Sequence, residues 1–227
     1  MSHTILIPLV GPMQSWGTRS RFDDRDTHPE PTKSGVLGLV CAALGRSRQT
    51  SNDDLNALLF GVRVDAPGTI LTDFHTAQGV VRAAGAGTST VTSHRHFVAD
   101  ARFLAGLQGE DLGLLRLIEA CLHDPVWTLA LGRRSFPPAL PPYIPGGSIR
   151  EGTALLAALK EEPWRPLRRR RDWDEPPTGL RIIVEDAAGE DGVLEDVPLS
   201  YSARRFGARR IRFDVAETVK EGEPWCS

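Results

Sequence analysis

Three histidines, one lysine and one aromatic loop are the side chains whose type and spacing could do chemistry. His94 and His96 form an H-x-H pair. On a strand, such a pair puts both imidazoles on one face, about 6–7 Å apart at their Cα atoms. With His75 on a neighbouring strand, the set could hold a metal or act as a general acid and base. No carboxylate or third ligand is placed by the sequence, so the better reading is of polar or RNA-contacting histidines. Neither a catalytic residue nor a metal ligand is therefore assigned, and no cofactor is implied. Gly11-Pro12-Met13-Gln14-Ser15-Trp16-Gly17 is a rigid loop able to offer Gln14, Ser15 and backbone amides to a nucleotide, with Trp16 beside them. The alternative is a packed turn with Trp16 as core filler. Pro31-Thr32-Lys33-Ser34-Gly35 opens a helix, and free amides at a helix start bind phosphate.

The signatures of common catalytic sites are missing. Gly85-Ala86-Gly87-Thr88 lacks the lysine and spacing of a phosphate-binding P-loop. There is no HExxH, GxSxG, paired-cysteine zinc motif or EF-hand loop. A metal-independent ribonuclease needs a base and an acid near a bent phosphate, often histidine with tyrosine or lysine. Only Tyr143, Tyr201 and three lysines are on offer, so that activity has thin support.

The elements that must position these residues follow from periodicity. His3 to Val10 reads as a buried strand ended by Gly11-Pro12. Thr32 to Leu44 carries a helical apolar stripe, with Thr32 as cap and Gly45 just past its end. Ser51 is expected to cap a short second helix that ends at Gly61. Strands are expected over Thr69–Thr76, Val91–Leu104 and Val126–Leu131, and a helix over Glu110–His123. That order is β-α-β-β-α-β, the ferredoxin-like or RRM-like arrangement of an α+β fold. Residues 1–132 form this domain, with a long connection near 77–93 between the second and third strands. Residues 133–227 form a small β-rich C-terminal region, with a helix candidate over Thr153–Lys160 and strands over Leu180–Glu185 and Arg209–Val219.

A chain of 227 residues, 41% hydrophobic and 25% charged, can bury a core without disulfides. Cys41, Cys121 and Cys226 are odd in number and far apart, which argues against a disulfide framework. No apolar run approaches the roughly 20 residues of a membrane span, and the first one contains Pro8 with no basic stretch before it. A cytoplasmic location with no membrane contact is expected. The net charge of −2 hides segregation: from Arg133 to Arg171 there are nine basic residues against three acids. Of the 27 basic residues only Lys33, Lys160 and Lys220 are lysine, and arginine is the better bidentate phosphate ligand.

GPMQSWG followed by PTKSGVLGLVCAALG resembles the CasD subunit family of type I-E CRISPR effector complexes (Cascade), within the RAMP superfamily. Asp73-Phe74-His75-Thr76, Phe97 to Leu104 and Leu131 to Pro138 match it too, in order, through residue 138. The resemblance implies a cytoplasmic antiviral-defence subunit that holds the 5′ handle of the CRISPR RNA and caps one end of the complex. It implies contact with the large subunit and the adjacent backbone subunit, partly through a thumb between the second and third strands. Target DNA is met only indirectly, through the complex. Members of the type I-E family are regarded as non-catalytic. The related type I-C member cleaves RNA, which keeps a metal-independent endoribonuclease acting on CRISPR repeat RNA as the alternative.

Single-stranded RNA asks for phosphate neutralisation plus stacking or edge contacts. The candidates are Gln14, Ser15, Trp16, Arg19, Arg21, Thr32, Lys33, Ser34, His75, Arg95, His96, Arg102, Arg133 and Arg134. The third strand lacks the aromatic pattern that stacks bases in RRM domains, so binding by loops and helix ends is expected. The Arg168–Arg171 run is read first as a solvated loop.

Overall fold

Alternation along the first strand decides the layering. In β1 (His3–Val10), Ile5, Ile7 and Leu9 point into one apolar cluster and Leu6 into another, all fully buried. A strand buried on both faces must lie inside a sheet covered on both sides. The computed structural model describes residues 1–17, 24–82, 85, 87–166, 177–217 and 221–225. Along the chain β1 is followed by β2 (Met13–Gln14), β3 (Asp24–Arg25), α1 (Lys33–Ala43) and α2 (Asp53–Asn56). Then come β4 (Leu59–Ala66), β5 (Thr69–Val81), β6 (Thr88–Ala99), β7 (Arg102–Gly109) and α3 (Leu112–His123). The chain continues through β8 (Ile149–Arg150), α4 (Leu155–Glu161), β9 (Leu180–Glu185), β10 (Gly192–Ser200) and β11 (Arg205–Ala216).

Seven strands join in the order β10-β11-β9-β4-β7-β1-β8, every pairing antiparallel. With the few helices this is an α+β fold. Helices α1 and α3 cover one face through Val36, Leu37, Val40, Leu115, Ile118 and Leu122. Helix α4 covers the other with Leu155 and Leu159, beside the buried Trp164. Gly106 lets α4 approach: a Cβ there would sit 2.6 Å from a Leu155 methyl. A base cannot lie on that face of the sheet, because α4 already does.

The two long helices lie where expected, α1 within one residue at each end and α3 starting two residues later than expected. Thr32 caps α1, its hydroxyl accepting from the Gly35 amide at 3.2 Å, and Gly45 takes φ +69° beyond the end. Asp111 caps α3 by accepting from the Leu114 amide at 3.0 Å.

Elsewhere the strands differ from expectation. The second strand of the main sheet is β4, not Thr69–Thr76. Gly61 does not end a helix there; it sits inside β4, where a Cβ would meet Val184 at 2.9 Å. The Val91–Leu104 stretch is broken in two at Asp100, a non-glycine residue at φ +57°. Val126–Leu131 is no strand. Its first amides cap α1 instead, Val126 and Trp127 donating to the Ala43 and Ala42 carbonyls at 3.0 and 3.1 Å. The two-residue β8 pairs with β1 in its place. Past residue 133, β9 pairs with β4, so the C-terminal strands continue the same sheet, and β10 lies between the two strands expected there.

Candidate nucleic-acid interface

Strands β5 and β6 pair with each other from Thr69↔Ala99 to Val81↔Thr88. They form a hairpin held outside the seven-stranded sheet. Every residue of β5 is exposed, including Ile70, Leu71 and Phe74. The hairpin extends well beyond the expected 77–93 connection.

The Gly11–Gly17 loop is the mount of this hairpin. Met13 and Gln14 pair with Ala99 and Val98 of β6. Gln14 is fully buried, and its side-chain amide donates to the Leu9 and Ala101 carbonyls at 3.2 and 2.8 Å. The Ser15 amide donates to the Leu131 carbonyl at 3.0 Å, and Ser15 is 4% exposed. Trp16 is fully buried under α1, where a Cβ on Gly35 would stand 2.7 Å from its ring. The expectation that Gln14, Ser15 and Trp16 meet a base is corrected on that ground: each is enclosed by the chain's own packing.

Lys33 is corrected as well. Its side chain is 1% exposed, and its ammonium donates to Glu185 at 2.8 Å and to the Asn56 carbonyl at 3.0 Å. The Lys33 amide donates to Asp196 at 2.7 Å, and Asp196 is paired with the buried Arg209 at 2.6 Å. The start of α1 does attract an anion, but the anion is the protein's own carboxylate. Thr32 is 3% exposed and spends its hydroxyl on the cap. Ser34 is half-buried, its carbonyl accepting from the Tyr201 hydroxyl at 2.7 Å. That phenol keeps its proton, because burial raises its pKa far above the ordinary tyrosine value.

The hairpin has two chemically different faces, since partners directly opposite in an antiparallel pair share a face. Thr72 pairs with His96 and Phe74 with His94, so these four lie together. His96 meets the Thr72 hydroxyl at 2.8 Å and the Asp24 carboxylate at 3.2 Å. Asp73 pairs with Arg95 and His75 with Ser93 on the opposite face, where His75 is bonded to Asp73. His75 and His96 therefore point away from each other. The idea of a metal or acid–base set joining them is corrected by strand register alone. Among the described residues no group of three or more His, Cys, Asp or Glu side chains is arranged for a metal ion.

Arginines gather on the Arg95 face. Arg25 on β3 is in parallel register with Arg95. Arg133 donates to the Arg25 and His96 carbonyls at 3.0 and 2.9 Å, with its guanidinium 5.6 Å from the Phe136 ring. Burial first, then the Arg95 and Arg25 charges, lowers the Arg133 pKa. It stays charged, because a guanidinium titrates far above neutrality. Three cations thus sit close together, with Asp73 and Asp26 as the acids that act on Arg133.

Arg134, the next residue, faces a different way. It lines an open groove of about 770 Å³ that runs along α1 from Ser34 to Ala42. Arg102 lies on the α4 side of the main sheet, its guanidinium 5.3 Å from the Trp164 ring, and is not part of either hairpin face. Arg19, Arg21 and the Arg168–Arg171 run lie outside the described residues. Sequence reading missed Arg25, Asp24, Arg48 and Trp127. Arg25 and Asp24 sit in an acidic run that masks them, and Trp127 falls in a stretch read as a core strand. No local signal could have placed them here.

An antiparallel α+β protein with an arginine-bearing hairpin held out from its sheet is the class that fold and site define. The chain belongs to the family described as CRISPR-associated protein (Cas_Cas5), whose profile matches residues 4–212. It is similar to the CRISPR system Cascade subunit CasD of Escherichia coli strain K12, with 31% identity over 179 residues, 72% of this chain and 79% of that one. A solved structure titled "Crystal structure of Cas protein" superposes with a TM-score of 0.77 at 42% identity, covering 96% of this chain and 98% of the other. A chain of a "CRISPR RNA-guided surveillance complex" superposes with a TM-score of 0.75 at 36% identity, covering 93% and 89%. No helix among the described residues is long and apolar enough to cross a membrane.

Proposed function

We propose that this chain is a non-catalytic RNA-binding subunit of a type I-E CRISPR effector, working in the cytoplasm. It holds the 5′ handle of the CRISPR RNA and caps the assembly beside its large and backbone subunits, meeting target DNA only through them. The observation that carries this reading is the convergence of Arg25, Arg95 and Arg133 at the base of the exposed hairpin. Three cations crowded there raise each other's energy, Asp73 and Asp26 offset only part of it, and a phosphate relieves the rest. The similarity to the CasD subunit supports the identity of the RNA. The β8-β1-β7-β4 order with α1 and α3 on one face supports a ferredoxin-like, RRM-like core, with the β5–β6 hairpin as its thumb. The non-catalytic reading draws on His75 and His96 lying on opposite hairpin faces. Arg95, Arg133, Arg134 and the outward histidines remain the site residues of the proposal; Arg25 joins them.

Handle RNA binding titrated at several salt concentrations tests it. Arg25→Ala and Arg95→Ala should each weaken binding for all RNA sequences alike and lower the salt slope by about 0.7. Unchanged affinity and slope in both would remove the arginine face from the RNA path. Labelled repeat RNA incubated without metal should stay intact; cleavage at one position that His96→Ala abolishes would establish the endoribonuclease instead. Deleting residues 79–89 should leave a folded protein that enters the complex poorly, because the described residues of this stretch are exposed or only half-buried.

A further inference from the structure

The groove along α1 is separate from the arginine face. Its floor is the helix surface at Gly35, Gly38 and Ala42, where small residues leave a flat strip. On one wall stands Trp127, 48% exposed though its backbone is tied to α1. Arg46, Arg48 and Arg134 also line it, and no acidic side chain does. Arg46 is occupied by Asp54, at 2.7 and 2.5 Å. Arg48 and Arg134 are exposed and make no hydrogen bond or ion pair among the described residues.

An exposed indole in an open groove offers a flat face on which a planar ligand can stack. What covers this one has to tolerate an acid-free, cationic rim. An apolar protein segment would leave both guanidinia unmatched, whereas a nucleotide offers a π-face to the indole and phosphates to the arginines. A volume of about 770 Å³ lies within the range of nucleotide-sized ligand sites.

The groove also connects to the hairpin base. Arg133 and Arg134 are successive residues of one turn, the first directed to the hairpin and the second to the groove. That turn is rigid: Gly132 holds φ +90°, and a Cβ there would fall 1.7 Å from the Ser15 carbonyl oxygen. An RNA strand leaving the arginine face reaches the groove by crossing this turn.

We infer that the groove is a second single-stranded RNA subsite, in which one base stacks on Trp127 and the flanking phosphates are held by Arg48 and Arg134. The inference rests on the RNA-binding reading above and adds a site to it. Stacking tolerates any base, so the subsite contributes affinity without reading sequence.

The test uses the full-length chain, the handle RNA and an unrelated single-stranded RNA of equal length. Both RNAs should quench the same share of tryptophan fluorescence, and Trp127→Leu should abolish that share. Trp127→Leu should weaken binding of both about five- to hundredfold, within the usual range for a lost base stack. Arg48→Ala and Arg134→Ala should each lower the salt slope by about 0.7. Unchanged thermal melts establish that the variants are folded, as expected for exposed side chains. In the assembled complex, ultraviolet crosslinking should join the guide RNA to Trp127. If Trp127→Leu binds RNA like the parent while Arg95→Ala does not, the second subsite is wrong and the hairpin-base reading stands. If the parent binds neither RNA, and no guide RNA crosslinks to it in the complex, both fall. Quenching by an acidic peptide but not by RNA would make the groove a protein-docking site and overturn the inference.

Discussion

At the start of α1, Lys33 is 1% exposed and bonded on every side, and the helix amide beside it is taken by Asp196. Past the end of the same helix, Arg48 stands in solvent, and an exposed tryptophan is tied to the last carbonyls. By helix electrostatics the first end should receive an anionic ligand and the second should repel one. The fold reverses that. Strands β9 and β10 bring Glu185 and Asp196 over the first turn and close it. At the other end the backbone carbonyls of Ala42 and Ala43 are consumed by the 126–127 amides. The partial negative charge there is muted, and the exposed Arg48 opposes the rest. A helix terminus is thus a binding site only where tertiary structure leaves it open.

The sharpest way to break this comparison is to open the closed end. Asp196→Ala strands the buried Arg209 and the Lys33 amide, and should cost about 3–5 kcal/mol in chemical denaturation. If an RNA phosphate belonged at the start of α1, the same change would instead free the site, raising RNA affinity with little loss of stability.

Gly132→Ala attacks the turn that carries Arg133 and Arg134. A side chain at φ +90° costs roughly 1–3 kcal/mol from backbone strain alone, and the Ser15 carbonyl must also move. Stability should fall by at least that much, and RNA affinity should fall with it, because the turn that positions Arg133 and Arg134 has to move. A variant with weakened folding and unchanged RNA binding would separate the turn from the interface.

Gln14→Leu should cost about 1–3 kcal/mol, by leaving the Leu9 and Ala101 carbonyls without their donor. Its preference among RNA sequences should not change. A shift in preference without destabilisation would return Gln14 to the interface as a base reader.

The smallest effect concerns Cys41, on the last turns of α1, whose thiol donates to Asn52 at 3.2 Å. Burial, opposed by the Arg46 charge, pushes this thiol from 9.0 up to about 11. At pH 8 the folded protein should be alkylated at Cys41 about a hundredfold more slowly than a free cysteine, from thiolate fraction alone. The raised pKa means the folded state holds its proton more tightly than the unfolded chain. Its contribution to stability is complete below pH 9 and is lost as the pH rises toward 11. Fast alkylation at pH 8 would show that this end of the helix opens far more than its packing implies.

Local chemistry was readable wherever it was decided locally. Thr32 and Gly45 mark helix ends because caps act over three or four residues. The unbroken apolar run of β1 announces a buried strand, and the motifs through residue 138 carry the family. Arg133 and Arg134 were legible as cations after a glycine, but not the turn that sends them opposite ways. What the fold alone decided involves partners far apart in the chain. Lys33 is claimed by Glu185 and Asp196, more than 150 residues away, so no window around PTKSG could show its burial. His75 and His96 are separated by strand register, and a register is a property of two strands, not of either sequence. Val126 and Trp127 form no strand because the carbonyls of α1 claim their amides first. Those long-range claims exist only once the chain has folded, because closing such loops costs entropy that the packed core alone offsets.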